Sequence, residues 1–500
     1  AILLRTLISN EGKLQAGVPD TLIQREKQLS LDIAYYEKSL LSAQKENDSD
    51  KIELFHGYLS KTRLELVALR GQLEKEYPRY QAWKQGGKII SIADIQSKLL
   101  GDSTALIEYF VGDSSAFVFL ISKDKAEILA LDSPPEINLA IRAFREELLG
   151  SGKDLVINRP KLVFENYHQK ASKVYEYIFE SLTQYLSQEL EKLIIVPDGL
   201  INTIPLEALT KKENLAPNND FSKLPYLVYD YDFAYAYSAD LWRKNQERKY
   251  QLPANTNCLA LAPTYKGNDP GANQEYWREL KWAVSEIDSI KNFFTGYFDS
   301  TETATKNKFK KIAPEYGIIH LAMHGKADMD NSNFNLLVFS DVLNNSPEDH
   351  LLYHYEIANM DLEAQLVVLS ACETGVGKYE KGEGVFSLAR SFMYAGVPSV
   401  VMSLWNVDDA STSRMMSDFY KFLASGDSKS MSLTKAKRLL LEESDLKKRH
   451  PFYWSAFVIV GDSSEIKSDH SSYLIWGGGI LVLLGIIGWF GFRYRRKMVV

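Results

Sequence analysis

Two short runs carry the side chains best suited to chemistry: Leu321-Ala322-Met323-His324-Gly325 and Leu369-Ser370-Ala371-Cys372-Glu373-Thr374-Gly375. Each follows a continuous apolar stretch, Ile318-Ile319 in one case and Leu366-Val367-Val368-Leu369 in the other, of the kind that forms a fully buried strand. In open α/β sheets the functional groups collect at the carboxyl ends of the strands. If these two strands are neighbours, a cysteine and a histidine face each other across a shallow cleft as a nucleophile and its base. A nearby imidazole lowers a thiol pKa from about 8.5, and the thiolate is the species that attacks a carbonyl carbon. The backbone N–H groups of Gly325 and Cys372 are the expected oxyanion hole. The plain alternative is a small buried apolar cysteine and a hydrogen-bonded histidine with no catalytic role.

The other candidates are weaker. Cys258 lies inside the strand-like run Cys258-Leu259-Ala260-Leu261 and reads as core. His320 is four residues before His324, but no further metal ligands accompany it, so no metal site and no cofactor are expected. The run Gly375-Val376-Gly377-Lys378 is not a phosphate loop, because Cys372 stands where the first glycine is needed and Tyr379 where the hydroxyl residue is needed. A glycine-rich segment with Lys378, Glu380, Lys381 and Glu383 beside the cysteine reads instead as a lid.

The elements that must position these residues alternate. Strands are expected at 257–263, 316–323, 365–370, 398–405 and 453–460, with helices at 276–294, 384–395, 409–424 and 432–443, which means a parallel or mixed sheet covered on both faces. Upstream, 105–110 and 116–121 read as a β-hairpin around Gly112-Asp113-Ser114, 137–190 as helical, and 193–196 as a buried strand before a Pro-Asp-Gly turn. Residues 22–47 and 51–76 carry apolar side chains at three- and four-residue steps around a polar turn, an antiparallel helical hairpin. Such a hairpin cannot bury its stripe alone, so it packs on the next domain or ends a helical array.

Composition bounds the function. The formal charge is −7, from 58 Lys and Arg against 65 Asp and Glu, and gives no footprint for a phosphate backbone, so no nucleic-acid partner is expected. The 2 cysteines exclude a disulfide scaffold and a cysteine-rich zinc module. The chain opens Ala-Ile-Leu-Leu, which suggests a processed product or fragment. Residues 473–492 hold no charge and match a hydrocarbon core of about 30 Å, and Arg493, Arg495, Arg496 and Lys497 follow. The expectation is one transmembrane helix, with the soluble part exoplasmic or periplasmic by the positive-inside rule, and a tail-anchored cytoplasmic protein as the alternative.

Together the runs HLAMHG, LVVLSACETGVG, KGEGVFSLARSFMYAGVPSVVMSLWNVDD and HPFYWSAFVIVGD, with IIVPDGLINTIPLEAL and YLVYDYDFAYAYSADLW upstream, resemble the bacterial CHAT domain, a caspase-like cysteine peptidase family related to separase. The resemblance spans about 90–462, and the preceding hairpin is similar to the helices that join tetratricopeptide repeats to CHAT domains. It implies a caspase/hemoglobinase-like α/β fold with His324 as base, Cys372 as nucleophile and peptide-bond cleavage through a thioester. It also implies that Asp408 lines a pocket for a basic substrate residue, although Asp408 equally suits the cap of the following helix. The expected organisation is a helical region at 1–86, α/β parts at 87–257 and 258–465, a transmembrane helix at 473–492 and a basic tail at 493–500. The expected partners are a protein substrate, an activating protein on the helical region, and the membrane. A catalytically silent CHAT-fold scaffold for protein assembly is the alternative from another functional class.

Overall fold

The structure, a computed structural model, describes residues 18–77, 90–150, 159–216, 218–265, 277–328, 334–340, 349–370, 378–380, 384–406 and 408–468. Helices α1 (Asp20–Glu46) and α2 (Ser49–Glu76) form the expected hairpin. Asn47 at φ 55 ends the first, and the Asp48 carboxylate accepts the Lys51 N–H to start the second. Leu66, Leu69 and Leu73 of α2 are buried at helical spacing in one apolar cluster with Leu29 of α1.

From there the chain runs through α3 (Ile92–Lys98), β1 (Thr104–Val111), β2 (Ala116–Ile121), β3 (Ala126–Ala130), α4 (Pro134–Gly150), α5 (Pro160–Ile178), β4 (Lys192–Val196), β5 (Asp232–Tyr235) and α6 (Ala239–Gln251). A second series follows: β6 (Cys258–Leu261), α7 (Ala283–Ile290), β7 (Gly296–Asp299), α8 (Lys306–Ile312), β8 (Ile318–Leu321), β9 (His324–Lys326), β10 (Leu336–Val338), β11 (Leu351–Tyr353), α9 (His354–Ala358) and β12 (Leu366–Leu369). The last elements are β13 (Lys378–Glu380), β14 (Gly384–Phe386), α10 (Leu388–Tyr394), β15 (Ser399–Ser403), α11 (Asp409–Ala424), α12 (Lys429–Glu443), α13 (Pro451–Trp454) and β16 (Phe457–Gly461).

Eleven strands make one mixed sheet in the order β3-β2-β1-β4-β5-β16-β15-β12-β8-β6-β7. Every residue of β6, β8, β12 and β15 is buried, so both faces of the sheet are covered there. The two expected α/β parts therefore share a single sheet. β16 joins them, antiparallel to β15 over Ser399↔Gly461 to Ser403↔Phe457 and parallel to β5 at Val460↔Tyr235. Gly461 has φ +99, and a Cβ there would lie 2.1 Å from the Pro398 carbonyl, so only glycine lets the strand end so close to its neighbour.

Buried polar contacts fasten the same seam. Asp232 of β5 accepts from Ser430 Oγ at 2.7 Å and Thr434 Oγ1 at 2.9 Å on α12, Lys429 pairs with Asp462, and Lys437 reaches Glu207 at 2.5 Å. Buried pairs of this kind add little net stability, but removing one partner costs about 3–5 kcal/mol.

Several expected elements are redrawn. The helix expected over 276–294 is, among the described residues, Ala283–Ile290, the one over 384–395 begins as β14, and the described residues of 137–190 include α4 and α5, the latter opened by Pro160 at a first-turn position where its missing N–H costs nothing. No helix among the described residues is long and apolar enough to cross a membrane. This corrects the expectation of a single-pass membrane protein with an exoplasmic soluble part. The run at 473–492 on which it rested lies outside the described residues, and the longest described helix, Ser49–Glu76, carries charged residues such as Lys51, Glu53, Lys61, Arg63, Arg70 and Lys75 on its exposed side.

Two buried histidines set an acid limit. His450 is fully buried, caps α13 by accepting the Phe452 N–H at 3.2 Å, and packs against the rings of Tyr167 and Phe221; burial pushes its pKa down to about 3. His354 is pushed down to about 4 by burial and then by the Arg390 charge. Both folded values lie below the ordinary histidine value near 6.5, so their neutral-state stability is complete above that pH and is lost as pH falls toward 4 and 3. From pH 6.5 to 5 each should cost the fold about 2 kcal/mol. Urea midpoints should therefore fall over this window, and His450→Asn, which keeps a capping side chain, should flatten the slope. A midpoint independent of pH would contradict the assignment.

Candidate functional site

The register of two strands builds the site. β8 and β12 are parallel neighbours, paired Leu366↔Ile318 through Leu369↔Leu321. His324 and Cys372 each stand three positions beyond the last of these paired residues, Leu321 and Leu369. The sequence-based condition for a facing histidine and cysteine, neighbouring strands, is thus met. Cys372 itself, with the segment Gly375-Val376-Gly377 read as a lid, lies outside the described residues, whereas Lys378–Glu380 and Gly384–Phe386 form an antiparallel β-hairpin.

His324 opens β9, opposite Val338 of β10, and Gly325 lies opposite Leu337. The imidazole is half-buried between two aromatic rings, with Tyr265 at 4.9 Å and Trp277 at 5.2 Å between centroids. Its Nε2 lies 2.6 Å from the carbonyl oxygen of Arg278. A carbonyl can only accept, so Nε2 carries the hydrogen and the neutral ring keeps its lone pair on Nδ1. Burial lowers the His324 pKa, against the Arg278 carbonyl and the charges of Asp409 and Glu279, which favour the protonated ring. A neutral imidazole with a fixed tautomer is the state required of a general base.

These surroundings were not found from the sequence. A backbone carbonyl such as that of Arg278 leaves no residue-type signal. Asp409 adjoins the cap candidate Asp408, and its carboxylate acts on His324, while burial raises its own pKa. Trp277 and Tyr265, two aromatics around a conspicuous histidine, were the one signal available. They belong to a small apolar cluster with Leu336, Val338 and Tyr353, separate from the main core, that supports the three-stranded sheet β9 to β11. Helix α1 docks on this part of the molecule through Lys27 to Asp361 at 2.7 Å and Lys38 over the Tyr353 ring at 4.3 Å.

Cys258 is buried in β6, and burial pushes its thiol far up, so it is chemically inert. His320 is fully buried with Nδ1 3.0 Å from the Tyr420 hydroxyl and Nε2 2.9 Å from Glu286 Oε1. Among the described residues no cluster could hold a metal ion. Asp408 caps α11, accepting from the Ser411 N–H at 3.1 Å and the Ser411 hydroxyl at 2.9 Å.

A family model described as "CHAT domain" matches residues 168–462. Tetratricopeptide repeat protein 28 of Homo sapiens is 30% identical over 128 residues, which is 26% of this chain and 5% of that protein, and the Mus musculus protein is 31% identical over 125 residues, 25% and 5%. The chain thus spans a small fraction of the curated relatives it matches. Among solved structures, a chain of the separase–securin complex of Saccharomyces cerevisiae superposes with a TM-score of 0.50 at 10% identity, covering 77% of this chain and 31% of that one. At that identity the likeness is one of fold.

The cap makes a prediction. Asp408→Ala should destabilise the protein by about 1 kcal/mol, and Asp408→Ser, which caps as well, should restore the urea midpoint. Failure of serine to restore it would mean that the negative charge, not the capping geometry, is what the fold uses.

Proposed function

The chain belongs to the CHAT domain family, whose members are related to separase and the caspase-like cysteine peptidases, and on that premise we propose that it is a cysteine endopeptidase acting through His324 and Cys372. The observation that carries the reading is the imidazole of His324, held as a neutral base at the carboxyl end of the strand paired with the one that leads into Cys372. In the proposed reaction the His324 imidazole takes the Cys372 thiol proton, the thiolate attacks the scissile carbonyl carbon, and the oxyanion is met by the backbone N–H groups of Gly325 and Cys372. The C–N bond breaks as His324 gives a proton to the leaving amine, and water then hydrolyses the thioester with the imidazole as base. No metal or cofactor has a part in these steps.

The substrate is a protein, and Asp408 is the proposed acidic contact for a basic substrate side chain. Residues 1–86 are the region that would engage an activating protein, with 87–257 and 258–465 as the two α/β parts of the peptidase. The fold shared with separase, solved in complex with securin, supports a protein rather than a small-molecule partner.

The test needs no known substrate. Alkylation of Cys372, followed by peptide mass mapping across pH with Cys258 as an inert internal reference, should be half-complete well below pH 8.5. His324→Ala should move that midpoint upward by about a pH unit or more, and should lower any cleavage about 10²- to 10⁴-fold. An ordinary thiol profile at Cys372 in both proteins would abandon the peptidase in favour of a silent scaffold.

A further inference from the structure

Tyr265 bonds to His324, to the strand paired with it and to Glu279. The Tyr265 hydroxyl sits at the junction of β9 and β10, donating to the Val338 carbonyl at 2.9 Å and accepting the His324 N–H at 3.1 Å, and Val338 is the residue paired with His324. Its ring lies against the imidazole, tilted by 49°. Its own backbone N–H donates to Glu279 Oε1 at 2.7 Å. Glu279 adjoins Arg278, whose carbonyl takes the Nε2 hydrogen.

We propose that Tyr265 and Glu279 form a latch that positions His324: the tyrosine fixes the histidine backbone and ring, and the glutamate bond to the tyrosine amide holds the Arg278 carbonyl where it selects the Nε2–H tautomer. The latch deepens the peptidase reading and rests on it for its purpose, though not for its geometry. Tyr265 is 5% exposed and belongs to the small cluster beside the site, not to the main core. Glu279 is exposed, so a side chain open to water spends a hydrogen bond on a neighbouring backbone amide. Such a bond does little for a core, and it places a carbonyl. The acidic groups acting on the imidazole are Glu279 and, from α11, Asp409.

The prediction separates the bond from the charge. In the full chain with ¹⁵N-labelled histidine, two-dimensional correlation of the imidazole nitrogens reports the tautomer directly, and the His324 signal is identified by its loss in His324→Gln. The unaltered protein should show a single neutral form with the hydrogen on Nε2. Glu279→Ala should convert it to a mixture with at least a tenfold rise in the Nδ1–H form. Glu279→Gln keeps an oxygen acceptor for the Tyr265 N–H and should retain the single tautomer. Tyr265→Phe keeps the ring, loses both hydroxyl bonds, and should also give a mixture. A pure Nε2–H form in Glu279→Ala, or glutamine behaving like alanine, would overturn the latch. The readout does not involve Cys372, so an intact latch beside an ordinary Cys372 thiol would sink the peptidase reading and leave the latch standing.

Discussion

The hydrogen-bonded register between β8 and β12 is the constraint on which the rest of the molecule depends. Leu321 and Leu369 are directly paired, so the two chain segments that leave the sheet after them start level with one another. A slip of one residue would turn each buried side chain to the opposite face and displace one segment by about 3.3 Å relative to the other. The sheet opposes this because both faces of these strands are packed, so a flipped register would set each side chain against neighbours of the wrong size and shape. Precision at the site is thus set by apolar packing several residues away from any polar group.

Around that fixed start, the protein uses two kinds of support with different stiffness. The sheet and its continuous apolar core form the rigid part, running from Ile95 to Val460. The His324 surroundings are lighter: a three-stranded sheet of three-residue strands, a small aromatic cluster, and single hydrogen bonds from Tyr265 and Glu279. Bonds of that sort contribute about 1 kcal/mol each, so the imidazole is oriented by interactions that can be rearranged without disturbing the core. The helical hairpin contacts this lighter part through Lys27 and Lys38, both charged groups at the surface of α1.

Much of this was legible in the sequence for a physical reason. Doubly buried strands such as LVVL and IIHL cannot hide their continuous apolar character, and the residues that follow them mark the site. The helical hairpin was legible from its spacing, and Cys258 as core from its neighbours. What was not legible depends on tertiary contact. Short strands such as Leu336–Val338 carry too few residues for a period, and Trp277 to Leu280 read as helix because their aromatic and charged residues fit helical spacing while their actual task is to border an imidazole. Asp409 and Asp408 are adjacent acids at a helix start, and only the fold shows that one caps and the other acts on His324. The membrane span was read from a run that lies outside the described residues, so the fold lends it no support.

The place of β16 has a consequence for how the protein comes into being. Its strand is the last of the eleven in sequence yet lies sixth across the sheet, between β5 and β15. During synthesis from the amino terminus, the earlier strands can only gather into two separate sheets, each with an open edge where the missing strand belongs. Emergence of Phe457–Gly461 from the ribosome therefore closes the sheet in one event, and a nascent chain stopped short of Phe457 holds two half-sheets that side chains such as Ser430, Thr434 and Lys437 can touch but no strand pairs.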